Sequence, residues 1–264
     1  MSKPSIYNAR LLTLLVYTAQ TGLAVLLAYP LTRRLASSVG DLPQGVNALY
    51  TPGGAHLFDV MHENGLAFGV VSLALATLAG FAFVVSPLMQ MAWLNALSRK
   101  RAVADSVALS IRQLGAAVRV SILLSPLLLL GVLVCSISGV VAGKLLSSTN
   151  ERTHDIALFC ALLPGVLLML HWSAVHDLAR AALAAGHTRA RQAVARALRR
   201  SLGAFPIYLL VLAAILALTY FGFLFGARLD QPHSGLFVLI VQQLLAFLCV
   251  ATRGLWLASA LRRA

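Results

Sequence analysis

Six stretches of apolar residues, each long enough to cross a bilayer as a helix, constrain this chain more than any other feature. They cover residues 11–31, 66–91, 120–141, 156–172, 206–225 and 236–256. A transmembrane helix needs about 20 predominantly apolar residues. The composition agrees, since 59% of the residues are hydrophobic and only 11% are charged. We therefore predict an all-α polytopic membrane helix bundle with six transmembrane helices, forming a single integral membrane domain over residues 1–264.

The first apolar stretch follows Lys3 and Arg10, as the start of a secretory signal peptide would. It is longer than the apolar region of a signal peptide, and no row of small residues marks a cleavage site. Arg33 and Arg34 follow it directly. The sequence therefore predicts an uncleaved first transmembrane helix.

The orientation follows from the basic segment 171–206, which holds six arginines and a single acid, Asp177. Loops rich in Lys and Arg stay on the cytoplasmic side. With the N-terminus inside, sixteen basic residues are cytoplasmic and five are outside. The five outside are Arg33, Arg34, Lys144, Arg152 and Arg228. The pattern predicts a bacterial cytoplasmic (inner) membrane protein with both termini cytoplasmic.

The formal net charge of +13 indicates a partner of opposite sign. We expect anionic headgroups of the lipid bilayer at the cytoplasmic face. Nucleic acid is not expected, because no basic patch is interleaved with aromatic residues as a base-stacking surface requires.

Two polar segments are expected to form cytoplasmic amphipathic helical extensions. In 94–118, four apolar residues share one helical face and predict a helix lying on the inner membrane surface: Val103, Val107, Ile111 and Leu114. In 177–200, the fourth helix should continue past the membrane and break at Gly186. A second helix should then lie along the inner surface, held by arginines such as Arg189, Arg191 and Arg196.

The three tryptophans, Trp93, Trp172 and Trp256, occupy similar places at the ends of the second, fourth and sixth apolar stretches. Arginine follows each of them within a turn or two. Such residues are typical interface anchors at the headgroup level. The alternative is that the chain contains three repeated helical hairpins.

Only a few polar groups fall within or beside the spans. Gln20, Gln242 and Gln243 lie near mid-membrane and either bond to neighbouring helices or line a polar path for a neutral or zwitterionic ligand. At the inner boundary, Asp177 and Arg180 are three residues apart on a helix and are predicted to form a structural ion pair. No Asp, Glu or Lys lies in the apolar core of any span, which argues against a proton relay.

No catalytic residue, cofactor or metal site is predicted. His56, Asp59, His62 and Glu63 form the best cluster, but they lack the order HExxH, and the alternative is that Asp59 caps the second helix. The three cysteines lie in apolar stretches without CxxC spacing and are read as packed thiols. We therefore expect a protein that is not an enzyme.

Two short motifs carry a family resemblance: LYTPGG at 49–54 and DLARA at 177–181. With six spans, they resemble a loose group of uncharacterised bacterial six-helix integral membrane proteins. The arrangement is also similar to the membrane domain of some glycerophosphodiester phosphodiesterases. The resemblance implies a membrane module, and it implies no phosphodiesterase activity because the catalytic domain of that family is absent.

The function expected from these observations is that of a non-enzymatic membrane protein, a scaffold or a subunit of an envelope or transporter complex. Such a protein would have a protein partner or form a homo-oligomer. The alternative is a permease or lipid-handling protein for a neutral or zwitterionic ligand, with a path lined by the three glutamines.

Overall fold

The computed structural model describes residues 6–39, 72, 76, 85–98, 102–145, 151–186, 189–228 and 235–264. Every regular element in these residues is helical, which confirms the all-α prediction. A 3₁₀ turn at Ile6–Ala9 leads into α1 (Arg10–Val39), and the other helices are α2 (85–98), α3 (Val103–Leu145), α4 (Glu151–Ala184), α5 (Ala190–Arg228) and α6 (Gly235–Arg263).

The chain divides into two compact units: Met1–Leu14 together with Pro87–Ala264, and Leu15–Ser86. The second unit contains most of α1, which continues through Pro30 to Val39 and so runs eight residues beyond its predicted end. Between Pro30 and Val39 the sequence contains no further glycine or proline, which is compatible with the extension. The loop cluster with His56 and Glu63, and most of the predicted span 66–91, lie outside the described residues.

Four of the described helices are long and apolar enough to cross a membrane. They run over Val103–Lys144, Ile156–Ala184, Ala190–Gly222 and Leu239–Arg263. They contain the predicted spans 120–141 and 156–172 and most of 206–225 and 236–256. The apolar part of α1, Arg10–Leu26, is shorter than these four. The chain is thus a helical membrane protein with four described helices that are long and apolar enough to span the bilayer.

The helices extend well past the bilayer at one end. α3 has 43 residues and α5 has 39, so they are about 64 and 58 Å long, against a hydrocarbon core of about 30 Å. The prediction of a separate surface helix over 94–118 was wrong, because 103–118 is the first part of the same helix that forms the span. No proline separates the two parts, and the single Gly115 does not end the helix.

The turn between α4 and α5 confirms the predicted break at Gly186. Its φ is +114°, a conformation that favours glycine. The Gly186 amide donates to the Leu183 carbonyl at 3.0 Å, which closes the end of α4.

The arginine-rich segment after the turn is the first part of α5, continuous through Pro206 into the span. One face of this part is buried by small residues one helical turn apart: Ala193, Ala197, Ser201 and Ala204. Packing of this face against the other helices therefore contributes to holding the segment, and its attachment to anionic lipid by charge stays a prediction. Arg189, Arg191, Arg199 and Arg200 are exposed.

Consecutive helices α3, α4, α5 and α6 pack as antiparallel neighbours, most extensively α3 with α4. The backbones of α3 and α4 come closest at Gly131 and Gly165. A Cβ added at Gly165 would lie 2.7 Å from the Cys135 amide nitrogen and 2.8 Å from the Gly131 carbonyl oxygen. Position 165 requires glycine, because the atoms that an added Cβ would meet include backbone atoms of α3, which cannot move aside as a flexible side chain could.

Candidate functional site: a buried polar network

A buried cluster of charged and polar side chains lies where the apolar parts of the helices give way to the basic end. At its centre are Asp177 and Arg180 of α4, which are 1% and 4% exposed. Ionised groups that are removed from water to this extent need charged or hydrogen-bonding partners. The identity of those partners defines what the site can do.

The Asp177 carboxylate is satisfied by three donors from two other helices. Oδ1 accepts a hydrogen bond from Gln90 Nε2 of α2 at 2.7 Å. Oδ2 accepts one from Trp256 Nε1 of α6 at 2.7 Å and forms an ion pair with Arg253 Nη2 at 2.6 Å. Arg253 and Trp256 are three residues apart and therefore share one face of α6. The carboxylate thus ties α2, α4 and α6 together.

Arg180 lies one turn further along α4 and has different partners. Its Nη1 donates to Gln90 Oε1, and its Nη2 donates to Ser121 Oγ of α3 at 3.2 Å. The predicted direct ion pair between Asp177 and Arg180 is therefore corrected: the ion pair is made with Arg253, and the Gln90 amide links the two α4 side chains. The amide presents its nitrogen to the carboxylate and its oxygen to the guanidinium, as the charges require.

A histidine extends the network along α3 and α4. Ser121 Oγ lies 2.9 Å from His176 Nε2 and 3.2 Å from the Ala117 carbonyl oxygen. The hydroxyl has one hydrogen and can donate to only one of them at a time. The Trp172 ring stacks on His176 with centroids 5.2 Å apart. Ser121 therefore connects the arginine to an imidazole that is itself covered by an aromatic ring.

Aromatic contacts bring α5 into the same cluster. The Arg253 guanidinium lies 5.9 Å from the centroid of the Tyr208 ring, within the range of a cation–π interaction. Tyr208 also meets Trp256 edge to face at 5.1 Å and donates from its hydroxyl to Ser173 Oγ at 2.9 Å. Five helices, α2 to α6, thus meet at this cluster.

The predicted interface tryptophans occupy different positions from those expected. Trp93 and Trp256 are 3% and 0% exposed, so their rings face protein and do not act as headgroup anchors. Trp93 donates to Thr13 Oγ1 at 3.0 Å and packs on Gly254, where an added Cβ would lie 2.9 Å from Trp93 Cζ2. A buried indole N–H needs an acceptor, and here the acceptors are protein groups. Trp172 is half-buried.

A second buried polar group lies nearby and uses α2 and α3. Asn95 is fully buried, and its Nδ2 donates to Ser110 Oγ at 3.1 Å and to Gln113 Oε1 at 3.0 Å. Gln113 in turn donates to the Leu183 carbonyl at 3.3 Å. This group joins α2 to the ends of α3 and α4 and has the character of a structural tie.

The three glutamines proposed for a polar path have different surroundings. Gln20 is exposed and belongs to the unit Leu15–Ser86. Gln242 is exposed on α6, and its neighbour Gln243 is half-buried. A continuous path through them therefore stays a prediction.

The described residues contain neither the ligand group of a metal site nor a disulfide. Within the described residues, no group of three or more His, Cys, Asp or Glu could hold a metal ion. The three cysteines are free thiols. Cys135 Sγ lies 3.6 Å from the Leu162 carbonyl at the closest crossing of α3 and α4, which fits a packing role there.

Replacing Trp256 with phenylalanine tests how strongly the network depends on the indole donor. The change keeps an aromatic ring and removes the hydrogen bond to Asp177. Because a hydrogen bond to a charged group contributes about 1.5–3 kcal/mol, we expect the free energy of unfolding to fall by that amount. Unfolding in mixed detergent micelles measures it.

Trp172→Phe is the matched control. The Trp172 N–H has no hydrogen-bond partner among the described residues, so this variant should unfold like the parent. An equal loss in both variants would contradict the assigned role of the Trp256 donor.

The fold and site together define a class, a membrane-embedded helical protein whose helices are tied by a buried polar network at one end. Comparisons of the chain with protein-family models, with curated proteins and with solved structures find no match in any of the three.

Proposed function

We propose that this chain is a non-enzymatic integral membrane protein that acts as a scaffold or as a subunit of an envelope or transporter complex. The observation that carries the proposal is the buried network. Gln90 and Trp256 both donate to Asp177 from other helices, so the buried carboxylate of the described interior ties three helices together. The resemblance to the phosphodiesterase membrane domain agrees with a membrane module and is part of the proposal.

The proposed topology has six spans and cytoplasmic termini in a bacterial inner membrane, with α1 and the stretch 66–91 as the first two. Antiparallel packing of α3 on α4 and of α5 on α6 supports an arrangement in hairpins. The proposed arrangement repeats this hairpin three times. Basic residues at the common end of α3 to α6 support a cytoplasmic location for that end.

Reporter fusions test this topology directly. Fusions near residues 105 and 190 are expected to report the cytoplasm, and fusions near 48, 150 and 231 the outside. The physical reason is the excess of Lys and Arg around the first two positions. An external reading at 105 or 190 would contradict the proposal.

A face of α6 supports a partner in the membrane. Gln242 is exposed between Leu239, Ile240 and Leu244, which are 52%, 57% and 58% exposed. It lies eleven residues, about 16 Å, from Arg253 along the helix, which places it near the middle of the hydrocarbon core. A glutamine at this depth favours a hydrogen bond to another transmembrane helix, worth about 1–2 kcal/mol.

A pull-down in gentle detergent tests the proposed complex. The parent chain should recover a partner, or a second copy, in a fixed ratio. Gln242→Leu should weaken recovery, and Leu239→Val on the same helix should leave it unchanged. A chain that is strictly solitary under these conditions would refute the scaffold proposal.

The second candidate is a lipid-handling protein. The observation that favours it is a basic groove between α3 and α5 beside exposed apolar side chains. A permease for a neutral or zwitterionic ligand would need a path through Gln20, Gln242 and Gln243, and none of these residues lines the groove.

A further inference from the structure

A groove of about 610 Å³ lies between the middle of α3 and the first turn of α5. Arg119, Ile122 and Leu123 of α3 line one side of it, and Arg189, directly before α5, lines the other side with Arg191 and Gln192 of α5. The turn at Gly186 reverses the chain and brings these two segments together. The groove is separate from the buried network, although Ser121, which holds Arg180, directly precedes Ile122 in α3.

The three arginines of the groove lack anionic partners. Their side chains make no hydrogen bond or ion pair with any residue in the described part of the chain. Of the acids near this end, Asp177 is engaged by Arg253, and Asp105 lies fourteen residues from Arg119, about 21 Å along α3. Three like charges around one groove repel one another unless an anion lies among them. Two N–H groups of one guanidinium can donate to two oxygens of the same phosphate. Phosphate is therefore the anion that suits this group of arginines best.

The start of α5 adds to this preference. The first backbone hydrogen bond of the helix runs from the Ala193 amide to the Arg189 carbonyl. The amides of residues 190–192 therefore have no acceptor within the helix. The first turn holds no acidic residue to offset the helix dipole. A phosphate in the groove would offset both the dipole and the arginines.

The apolar side of the groove indicates where the phosphate comes from. Ile122 and Leu123 are 64% and 42% exposed, and the apolar stretch of α3 begins just before them at Val120. The groove therefore crosses the boundary between headgroups and hydrocarbon. A soluble phosphate would use only its polar side.

We propose that this groove is a binding site for one anionic phospholipid. The lipid phosphate lies among Arg119, Arg189 and Arg191, and an acyl chain runs along Ile122 and Leu123. The inference does not depend on the scaffold proposal: lipid retention tests the groove, whereas recovery of a partner protein tests the scaffold.

Native mass spectrometry of the full chain in detergent, titrated with dioleoylphosphatidylglycerol or dioleoylphosphatidylcholine, tests the site. The parent should retain one phosphatidylglycerol and bind it at least about tenfold more tightly than phosphatidylcholine, because each basic residue near an anionic lipid contributes to affinity. The triple variant Arg119→Gln, Arg189→Gln, Arg191→Gln should lose this preference. The matched control removes the same charge at exposed positions outside the groove: Arg199→Gln, Arg200→Gln and Arg262→Gln.

Three outcomes would overturn the proposal. Equal losses in the two triple variants would show a general effect of surface charge. Equal retention of both lipids by the parent would show that the site does not select a headgroup of net negative charge. Displacement of phosphatidylglycerol by an equal concentration of soluble glycerol phosphate would assign the site to a soluble phosphate. Thermal unfolding in the same detergent should be alike for all variants, since these arginines are exposed.

Discussion

Asp177→Asn is expected to lower the free energy of unfolding by about 3–5 kcal/mol, the range for removing one member of a buried ion pair. The variant keeps the size of the side chain and removes the negative charge. Arg253 then loses its ion-pair partner, and the guanidinium of Arg180, which is buried, remains without a counter-charge nearby. The new amide has one acceptor oxygen, so it can keep the hydrogen bond from Trp256 or the one from Gln90 but not both. The loss therefore combines the missing charge with one missing hydrogen bond.

Two further variants make this expectation specific. Asp105→Asn removes an exposed acid at the start of α3 and should cost under about 1 kcal/mol. Arg253→Gln should cost less than Asp177→Asn, because Arg253 is 30% exposed and partly screened by solvent. Unfolding in mixed detergent micelles measures all three. A loss below about 1 kcal/mol in Asp177→Asn would show that the carboxylate does not hold the helices together.

Gly165→Ala is expected to force α3 and α4 apart. The added Cβ would collide with Cys135 Sγ and would lie within 3 Å of backbone atoms of Cys135 and Gly131. Excess volume in a packed interior usually costs about 1–3 kcal/mol, and here the upper part of that range applies because backbone must move. Gly165→Leu should prevent accumulation of the folded chain in the membrane.

Gly143→Ala is the matched control, since an added Cβ there meets no atom within 4 Å. Gly139→Ala is an intermediate case, with Leu162 Cδ2 at 3.4 Å. The expected order of stability is therefore Gly143→Ala, then Gly139→Ala, then Gly165→Ala as the least stable. Melting temperatures of the detergent-solubilised variants would establish the order, and an equal melting temperature for Gly165→Ala and Gly143→Ala would contradict the close crossing.

The helices and their break were predictable because local patterns determine them. Apolar stretches of membrane-spanning length located four of the described spans, and Gly186 ended α4 as expected. The lengths of α3 and α5 were harder to predict. An amphipathic pattern such as that of 103–118 is compatible with a helix lying on a membrane and with one that packs against α4, and only the packing partner distinguishes them.

The buried network could not be predicted, because its contacts join residues far apart in sequence. Gln90 and Trp256 meet Asp177 across 87 and 79 residues. The nearest basic residue on the same helix, Arg180, was the natural partner by spacing, yet α6 brings Arg253 closer. The one indication in the sequence was that Asp177 is the single acid among six arginines in 171–206. This indicated that Asp177 would pair with a basic residue, but it did not indicate which one.

The small-residue spacing illustrates the same limit. Gly131, Cys135, Gly139 and Gly143 follow one another at intervals of four residues along α3. All four share this spacing, but the tight crossing occurs at the first two. Spacing identifies the face of a helix, whereas the position of closest approach depends on the partner's own glycine, Gly165.

α5 is continuous from Ala190 to Arg228, so movements of its two ends are coupled. One helix of about 58 Å carries Arg189 and Arg191 near one end and Arg228 at the other. A tilt of about 5° would move its far end by about 5 Å at that length. Pro206 removes one backbone hydrogen bond along the way and so provides a natural pivot. Because α5 is one continuous helix, a displacement of its arginine-bearing end would be accompanied by a displacement of its other end, with the relative size of the two set by bending at Pro206.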